Sequence, residues 1–505
     1  MFLKIFLSVL LCAPLLACPN DEKTPKIEGT ANPEKFPAPD PDEALLATIQ
    51  YPEKMTARVY AREPDALNVT AIAFDEKNRL YLSETHRFDR GIEDNRRNQH
   101  WLRDDIALTS TSERLAMYRK HEGVKPLSYY TEHSDKIRVL VDEDADGKLD
   151  KSQIFADGFN DPLDGTAAGI FAANGKIYFA CIPHVWILED NDSDLKADKR
   201  ESLQEGYGIS VSLSGHDLNG FSFGPDGRIY FTIGDRGYNL KTSDGRHLYD
   251  QYAGAIFRME PDGSGLEVVH SGLRNPKEIA FDQYGSGFSV DNNADMGDKA
   301  RLIYMVEGGD SGWHRGNQNL RNFRHAIDVS NRHQIPWMVE SGWDLKGENR
   351  PASFLPPITH LGIGPSGLTY NPGTGLAEKW DEHFFICDYC GGRSSVIGFK
   401  VSPSGASFSV TNNETFIKGF LNTDMEFGYD GRVYVSDFTG SWRTYDKGTI
   451  FVFENPEELA KPIISEIRSL FANGFEKLPP KKLSELLKHT DHRVRQRAQF
   501  ALAKN

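Results

Sequence analysis

Residues Asn219 to Ile233 read NGFSFGPDGRIYFTI. Apolar and polar residues alternate on both sides of Pro225-Asp226-Gly227, a turn chemistry that tolerates positive φ, so the stretch predicts a tight β-hairpin. The same pattern recurs at Thr70 to Ser83 (TAIAFDEKNRLYLS), Ala167 to Ala180 (AAGIFAANGKIYFA) and Pro276 to Val290 (PKEIAFDQYGSGFSV). It returns less cleanly at Pro365 to Cys387 and again at Thr423 to Asp437 (TDMEFGYDGRVYVSD). A lone hairpin cannot bury its apolar face, so six copies at intervals of several tens of residues predict radially packed blades, each covering the next. The fold expected is all-β, a six-bladed β-propeller over residues 52–455. The 45 Gly, 30 Phe and 19 Tyr of this 505-residue chain suit many short strands joined by tight turns.

The ends have a different character. Met1 to Cys18 carries one cation, Lys4, then an apolar run from Ile5 to Leu11, then Leu15-Leu16-Ala17-Cys18. That order marks an export signal, and the run is too short to span a bilayer. Leu-Leu-Ala-Cys also resembles the lipobox of bacterial lipoproteins, which implies acylation of Cys18 and a membrane-anchored protein facing the periplasm or the cell exterior. Residues 19–51, rich in Pro and charge, read as a solvated tether. Beyond Asn455 the apolar residues Leu483, Leu486, Leu487, Val494, Ala498 and Ala501 fall at helical spacing, and residues 456–505 resemble one HEAT-like helix pair. A formal charge of −15 argues against nucleic acid or an anionic membrane face as partner, which leaves the lipid as the membrane contact. In an oxidising compartment Cys387 and Cys390 are a disulfide candidate, with plain buried thiols as the other reading. Gly391 stands where c-type haem attachment would need His.

A second repeat overlies the first. Asp142, Asp144, Asp146 and Asp150 recur 48 residues later as Asp190, Asp192, Asp194 and Asp198. Alternate carboxylates on a short loop can converge on a hard cation, as in calcium loops, so Ca2+ is a candidate ligand. Gly147 stands at the sixth position of the first loop and Leu195 at that of the second. The alternative is a pair of solvated acidic outer turns.

Ligands of propellers bind at the mouth of the central channel, on loops that lead into the inner strands. Three such places carry polar groups: Gly215-His216-Asp217 before the third hairpin, Arg274-Asn275-Pro276 before the fourth, and His360 with Pro365-Ser366-Gly367-Leu368 before the fifth. These motifs, with Gly308-Gly309-x-x-Gly312-Trp313, stand in the order seen in the glucose/sorbosone dehydrogenase family. Over Asn68 to Glu454 the chain resembles that family, and Glu84 to Arg96 with the paired Asp loops resembles its branch labelled membrane-bound dehydrogenase. The resemblance implies a propeller that oxidises a sugar or a similar hydroxylated small molecule. It puts His216 as general base on the hydroxyl, with Arg274 and Asn275 at the oxygens of a quinone, pyrroloquinoline quinone (PQQ). In similar bacterial proteins a cytochrome domain follows, which implies a cytochrome-type electron acceptor. From residue chemistry alone, imidazole titrates near neutrality and Asp217 beside it could raise its basicity.

The chain also departs from the pattern. Relatives that hold PQQ carry a Lys in the fifth-blade strand and Arg-x-Arg-Asp entering the sixth hairpin. Here stand Phe385 to Arg393 and Leu421-Asn422-Thr423-Asp424, in which only Asp424 survives. A tricarboxylate in that channel would be costly to desolvate unless Arg393 or another base served it, so the expected cofactor-facing residues are Arg393, Asp424 and His360. Two other readings stay open: a non-catalytic carbohydrate- or protein-binding propeller, and a hydrolase or lyase built on Asp217, Asp291 and Asp388.

Overall fold

The computed structural model describes residues 40–314, 316–320, 335–440 and 443–504. The signal segment, the lipidation candidate Cys18 and most of the tether lie outside them. All elements below belong to the body that begins at Pro41.

Six sheets form the ring, and each is opened by one of the hairpins read from the sequence. Blade 1 starts with Val69–Phe74 and Leu80–Glu84, blade 2 with Ile170–Ala173 and Lys176–Cys181, and blade 3 with Leu218–Phe223 and Ile229–Ile233. Blade 4 starts with Pro276–Phe281 and Gly287–Asp291, blade 5 with Pro365–Tyr370 and Phe384–Asp388, and blade 6 with Asn422–Phe427 and Val433–Asp437. The ring closes through the N-terminal strand Thr56–Arg62, which pairs antiparallel with Thr449–Glu454 as the outer strand of blade 6. Closure of this kind leaves no free sheet edge between first and last blades. Blade 4 has three strands, and its outer edge is satisfied by a bridge from Leu302 to Thr359. Apolar side chains of adjacent sheets interdigitate, as Phe231 and Phe257 of blade 3 do with Ile187 of blade 2 in one cluster.

A register shift recurs near the start of the inner strand: between Val69 and Ala71, Leu218 and Phe221, Pro276 and Ile279, Pro365 and Gly367, and Asn422 and Asp424. A bulge re-aims the residues it contains. Here it turns Thr70, Asn219, Lys277, Ser366 and Thr423 into the central channel, whose wall they form.

Two insertions cover the channel mouth. One lies within blade 1 and holds the helix Thr111–Lys120, packed through Trp101, Met117, Tyr118 and Tyr130. Arg87, fully buried, ties it down by donating to the carbonyls of Gly91, Tyr130, Asp161 and Asp164. The other contains Trp313 and Trp337, packed edge to face at 5.1 Å.

The C-terminal helices Pro462–Asn473, Pro480–Leu486 and His492–Lys504 share an apolar cluster around Ile467, Phe471 and Leu483. The last of them crosses the opposite mouth of the channel and touches the turn of every blade. Arg497 reaches Glu76 and Asn174, Gln496 the carbonyl of Gly224, and Arg495 Gln283, while the amide of His492 donates to Pro372 and Arg493 to Phe427.

Two expectations need correction. The folded body starts ahead of Tyr51: Pro41–Leu46 is helical, Ile49 is buried in a blade cluster and Gln50 bridges to Lys418, because the apolar residues Leu45, Leu46 and Ile49 have a core to enter. Cys387 and Cys390 are free thiols. Cys387 faces the core between blades 5 and 6, whereas Cys390 lies past the strand end on the channel wall, so the two point to different surroundings.

Candidate functional site

The channel mouth on the side of the insertions opens into a cavity of about 860 Å³. His216, Arg274 and Asn275 all border it, brought together from the loops entering blades 3 and 4. Tyr389 and Phe438, which could have plugged the mouth, stand edge to face at 6.2 Å in its wall and leave the space open.

His216 is almost fully buried, and its Nδ1 lies 2.7 Å from Asp235 Oδ1. The same carboxylate accepts from Ser212 Oγ at 2.7 Å and from Trp313 Nε1 at 3.0 Å. A carboxylate so placed fixes the tautomer with the proton on Nδ1 and leaves the Nε2 lone pair for a ligand. Burial, with the Arg274 guanidinium next, holds the imidazole below its ordinary pKa, so the ring is neutral at pH 7. The partner of His216 is therefore Asp235, and Asp217 has another task. Its Oδ1 accepts from Arg236 Nη1 at 2.6 Å and its Oδ2 from the amide of Gly215, which makes it a buried brace of the loop.

Arg274 donates from Nε and Nη2 to Gln318 Oε1, both at 3.1 Å, and its guanidinium lies 5.8 Å from the Trp313 ring. Its amide and that of Asn275 are capped by Asp291, which is also ion-paired with Arg301. Asp388 caps the amides of Ile363 and Gly364, both at 2.7 Å. Asp217, Asp291 and Asp388 are thus committed to backbone and arginine, and they do not converge on the cavity as a hydrolytic pair requires.

Of the cofactor-facing candidates, Arg393 borders the cavity at its rim, with Nη2 3.4 Å from Cys390 Sγ. Asp424 lies deeper on the axis and accepts from the amides of Ile72 and Met425. His360 is outside the cavity: its Nδ1 faces the carbonyl of Ala300 at 3.0 Å and its ring packs on Trp343, since it precedes the inner strand of blade 5 by several residues. The sequence reading missed Lys277. Its ammonium enters the cavity from the blade 4 bulge and donates to the carbonyl of Gly215 at 2.7 Å and to Asn219 Oδ1 at 3.2 Å. Burial lowers its pKa to about 8.

The two Asp loops form the outer turns of blades 1 and 2, on the opposite face. In each, the first three aspartates offer oxygens within 4.8 Å of one another, while Asp150 and Asp198 accept from the amides of Glu143 and Asn191. The backbone repeats as well: Gly147 has φ of 85° and Leu195 of 69°, so the second loop keeps its shape despite losing the glycine.

Fold and site together define a six-bladed β-propeller with a buried His–Asp pair beside Arg274 and Lys277 at one mouth of its channel. The chain belongs to the family described as "Domain of unknown function (DUF7133)", whose model matches residues 40–441. It is similar to quinoprotein glucose dehydrogenase B of Acinetobacter calcoaceticus, with 24% identity over 324 residues that cover 50% of this chain and 65% of that protein. The chain thus matches just under two thirds of that relative's length. Among solved structures it is similar to the PQQ-bound aldose sugar dehydrogenase of Streptomyces coelicolor (13% identity, TM-score 0.46, 80% of this chain and 99% of that one). It is also similar to the PQQ domain of pyranose dehydrogenase from Coprinopsis cinerea (12% identity, TM-score 0.47, 80% and 97%). Among the described residues no helix is long and apolar enough to cross a membrane.

Proposed function

We propose that this protein is an exported, lipid-anchored sugar dehydrogenase that oxidises a hydroxyl of a carbohydrate in the cavity at the channel mouth. The observation that carries the reading is the 2.7 Å contact between His216 and Asp235 beside Arg274. A neutral imidazole locked in one tautomer takes the hydroxyl proton at Nε2, and the Asp235 carboxylate stabilises the imidazolium that results. Arg274, held by Gln318, places a fixed positive charge where an acceptor gains electrons, and Asn275 lies next to it. A cavity of about 860 Å³ lies within the size range of small-molecule and cofactor pockets.

The residues present fit an anionic quinone such as PQQ in charge, at two of the expected positions and one unexpected one, Lys277. Arg274, Lys277 and Arg393 would hold it, and Asp424 and His360 would not. The group would supply the hydride acceptor, with a cytochrome-type protein or a soluble dye to reoxidise it. Ca2+ in the two Asp loops would be structural, since hard carboxylate oxygens cluster there far from the cavity wall. Reconstitution with PQQ and Ca2+ followed by dye reduction across a panel of aldoses tests the reading. Reduction that disappears in His216→Gln supports it, and no reduction with any sugar overturns it.

A further inference from the structure

The entries to the inner strands, bulged in five of the six blades, place a ring of residues around the cavity: Thr70, Ala168, Asn219, Lys277, Ser366 and Thr423, one from each blade. Five are small or neutral and one is a cation. The acidic groups that border the cavity do not neutralise it. Asp94 is ion-paired with Arg96 and Glu93 with Lys125, Asp89 accepts from Thr444, and Asp295 lies in the field of Arg96. Glu278, the residue next to Lys277, accepts from the amide of Leu368 at 2.7 Å, and burial keeps its carboxyl protonated well above the usual range. Arg274 is matched by Asp235, whose carboxylate feels its charge. The acceptors of the Lys277 ammonium are both neutral, a carbonyl and an amide oxygen, and Asp217, the carboxylate whose field reaches it most strongly, is already ion-paired with Arg236 at 2.6 Å.

An ammonium held in a pocket wall by neutral oxygens retains most of its charge for a ligand, and low-dielectric walls raise its attraction for an anion. A second group on the same wall has no hydrogen-bond partner. Thr166 is 3% exposed and its Oγ1 makes no hydrogen bond. A buried hydroxyl in that state favours a polar ligand against it. The carbonyl that holds Lys277 belongs to Gly215, the residue before His216, so an anion on Lys277 lies beside the base.

We propose that Lys277 is a carboxylate-binding residue of this cavity, so that the ligand beside His216 is acidic. The carboxylate has two sources of shared chemistry, a sugar acid such as a hexuronate or the acid groups of a quinone cofactor. The inference rests on the reading of the cavity as the ligand site, and binding without turnover tests it apart from the dehydrogenase activity.

Isothermal titration of the full chain would compare D-glucuronate, D-glucuronamide, which has the same ring without the charge, and PQQ. Tighter binding of D-glucuronate than of D-glucuronamide by tenfold or more, lost in Lys277→Met and kept in Lys277→Arg, assigns the residue to the substrate. Binding of PQQ that is weakened tenfold in Lys277→Met and kept in Lys277→Arg, with glucuronate and glucuronamide alike, assigns it to the cofactor. The proposal is overturned if neither acid prefers the wild type to Lys277→Met, or if glucuronamide and glucuronate bind equally and PQQ is indifferent to the substitution. If Lys277→Met fails to fold, wild type and Lys277→Arg decide: an acid that binds no better than its uncharged counterpart at low salt overturns the assignment. Absence of dye reduction with every sugar would defeat the dehydrogenase reading and leave these binding results standing.

Discussion

At the scale of single residues, the site depends on which carboxylate stands behind the base. Asp235 is held by Ser212 and Trp313, so its orientation is fixed before any ligand arrives. Asp235→Asn is expected to keep the fold and lower kcat/KM by about 10²- to 10⁴-fold, the range for loss of a positioned base, with little change in KM. An unchanged kcat/KM in the reconstituted enzyme would remove the Asp235 carboxylate from the mechanism. The pH dependence follows from the same geometry. Burial and Arg274 lower the pKa of His216, so activity should persist as pH falls through the ordinary histidine range near 6.5 and fail only below it. Asp235→Asn removes the anion that supports the imidazolium and should move the acid limb lower still, as a pH–rate profile would record. His216, Arg274 and Asn275 were legible in the sequence because they sit in motifs. Asp235 was legible in principle, for Leu218 pairs with Ile233 and the same register carried two residues outward sets His216 opposite Asp235. Proximity in sequence pointed to Asp217 instead, yet an inner-strand entry turns its successive side chains to opposite sides.

Among the elements, the hairpins could be read because period-two alternation around a positive-φ turn is a local signal. What local signals do not carry is the rest of each blade: the bulges that aim Lys277 into the channel, the three-strand blade 4, and the insertion helix Thr111–Lys120, whose buried Arg114, Met117 and Tyr118 give no clear apolar stripe. The C-terminal helix was visible as a helix, and its docking was not, since its partners are six separate turns. That docking has a checkable weight. Arg493 pairs with Asp491 at 2.8 Å, donates to Phe427 and stacks on Tyr429, so Arg493→Ala leaves a fully buried carboxylate without its cation, held only by the Thr374 hydroxyl and the amide of residue 493. The loss should be about 3 kcal/mol of stability in a denaturant titration. A midpoint unchanged from wild type would mean that the helix contributes nothing to the ring. The Asp loops carry a parallel expectation. Chelation by EGTA should lower the melting temperature of Ca2+-loaded protein, and Asp144→Asn together with Asp192→Asn should abolish that difference. Equal melting with and without Ca2+ would show the loops to be solvated turns.

The body that begins at Pro41 is a closed ring with a polar axis, in a chain of net charge −15. Below the cavity, Glu278, Asp424 and Glu426 face that axis, and Arg493 of the C-terminal helix is the cation set against Glu426. Burial raises all three carboxyls above their usual range, to about 6 for Asp424 and about 8 for Glu426; the charge of Asp424 adds to the rise of Glu278 and Glu426, while hydrogen bonds from the amides of Ile72 and Met425 and from Glu278 work against it at Asp424. Each therefore binds its proton more tightly folded than unfolded. Such groups lend stability that is fully present below the unfolded carboxyl pKa, near 4, and is lost as pH rises through the folded values. Melting temperature should accordingly fall from about pH 7 to pH 8, above the range near 6.5 in which buried histidines with lowered pKa, such as His216, His270 and His492, act in the opposite sense. Lys277 acts in the opposite sense, because its pKa is lowered on folding, but it contributes only above about pH 8, where the folded state sheds its proton first. Glu426→Gln removes one of the three protons from the balance without changing the size of the side chain. The slope of melting temperature against pH between about 7 and 8 should then be shallower than in wild type, with the two proteins closest in stability at the acid end. Identical slopes would show that Glu426 is ionised at neutral pH and balanced by Arg493 alone, and the axial acids would then be a fixed counter-charge for the C-terminal helix.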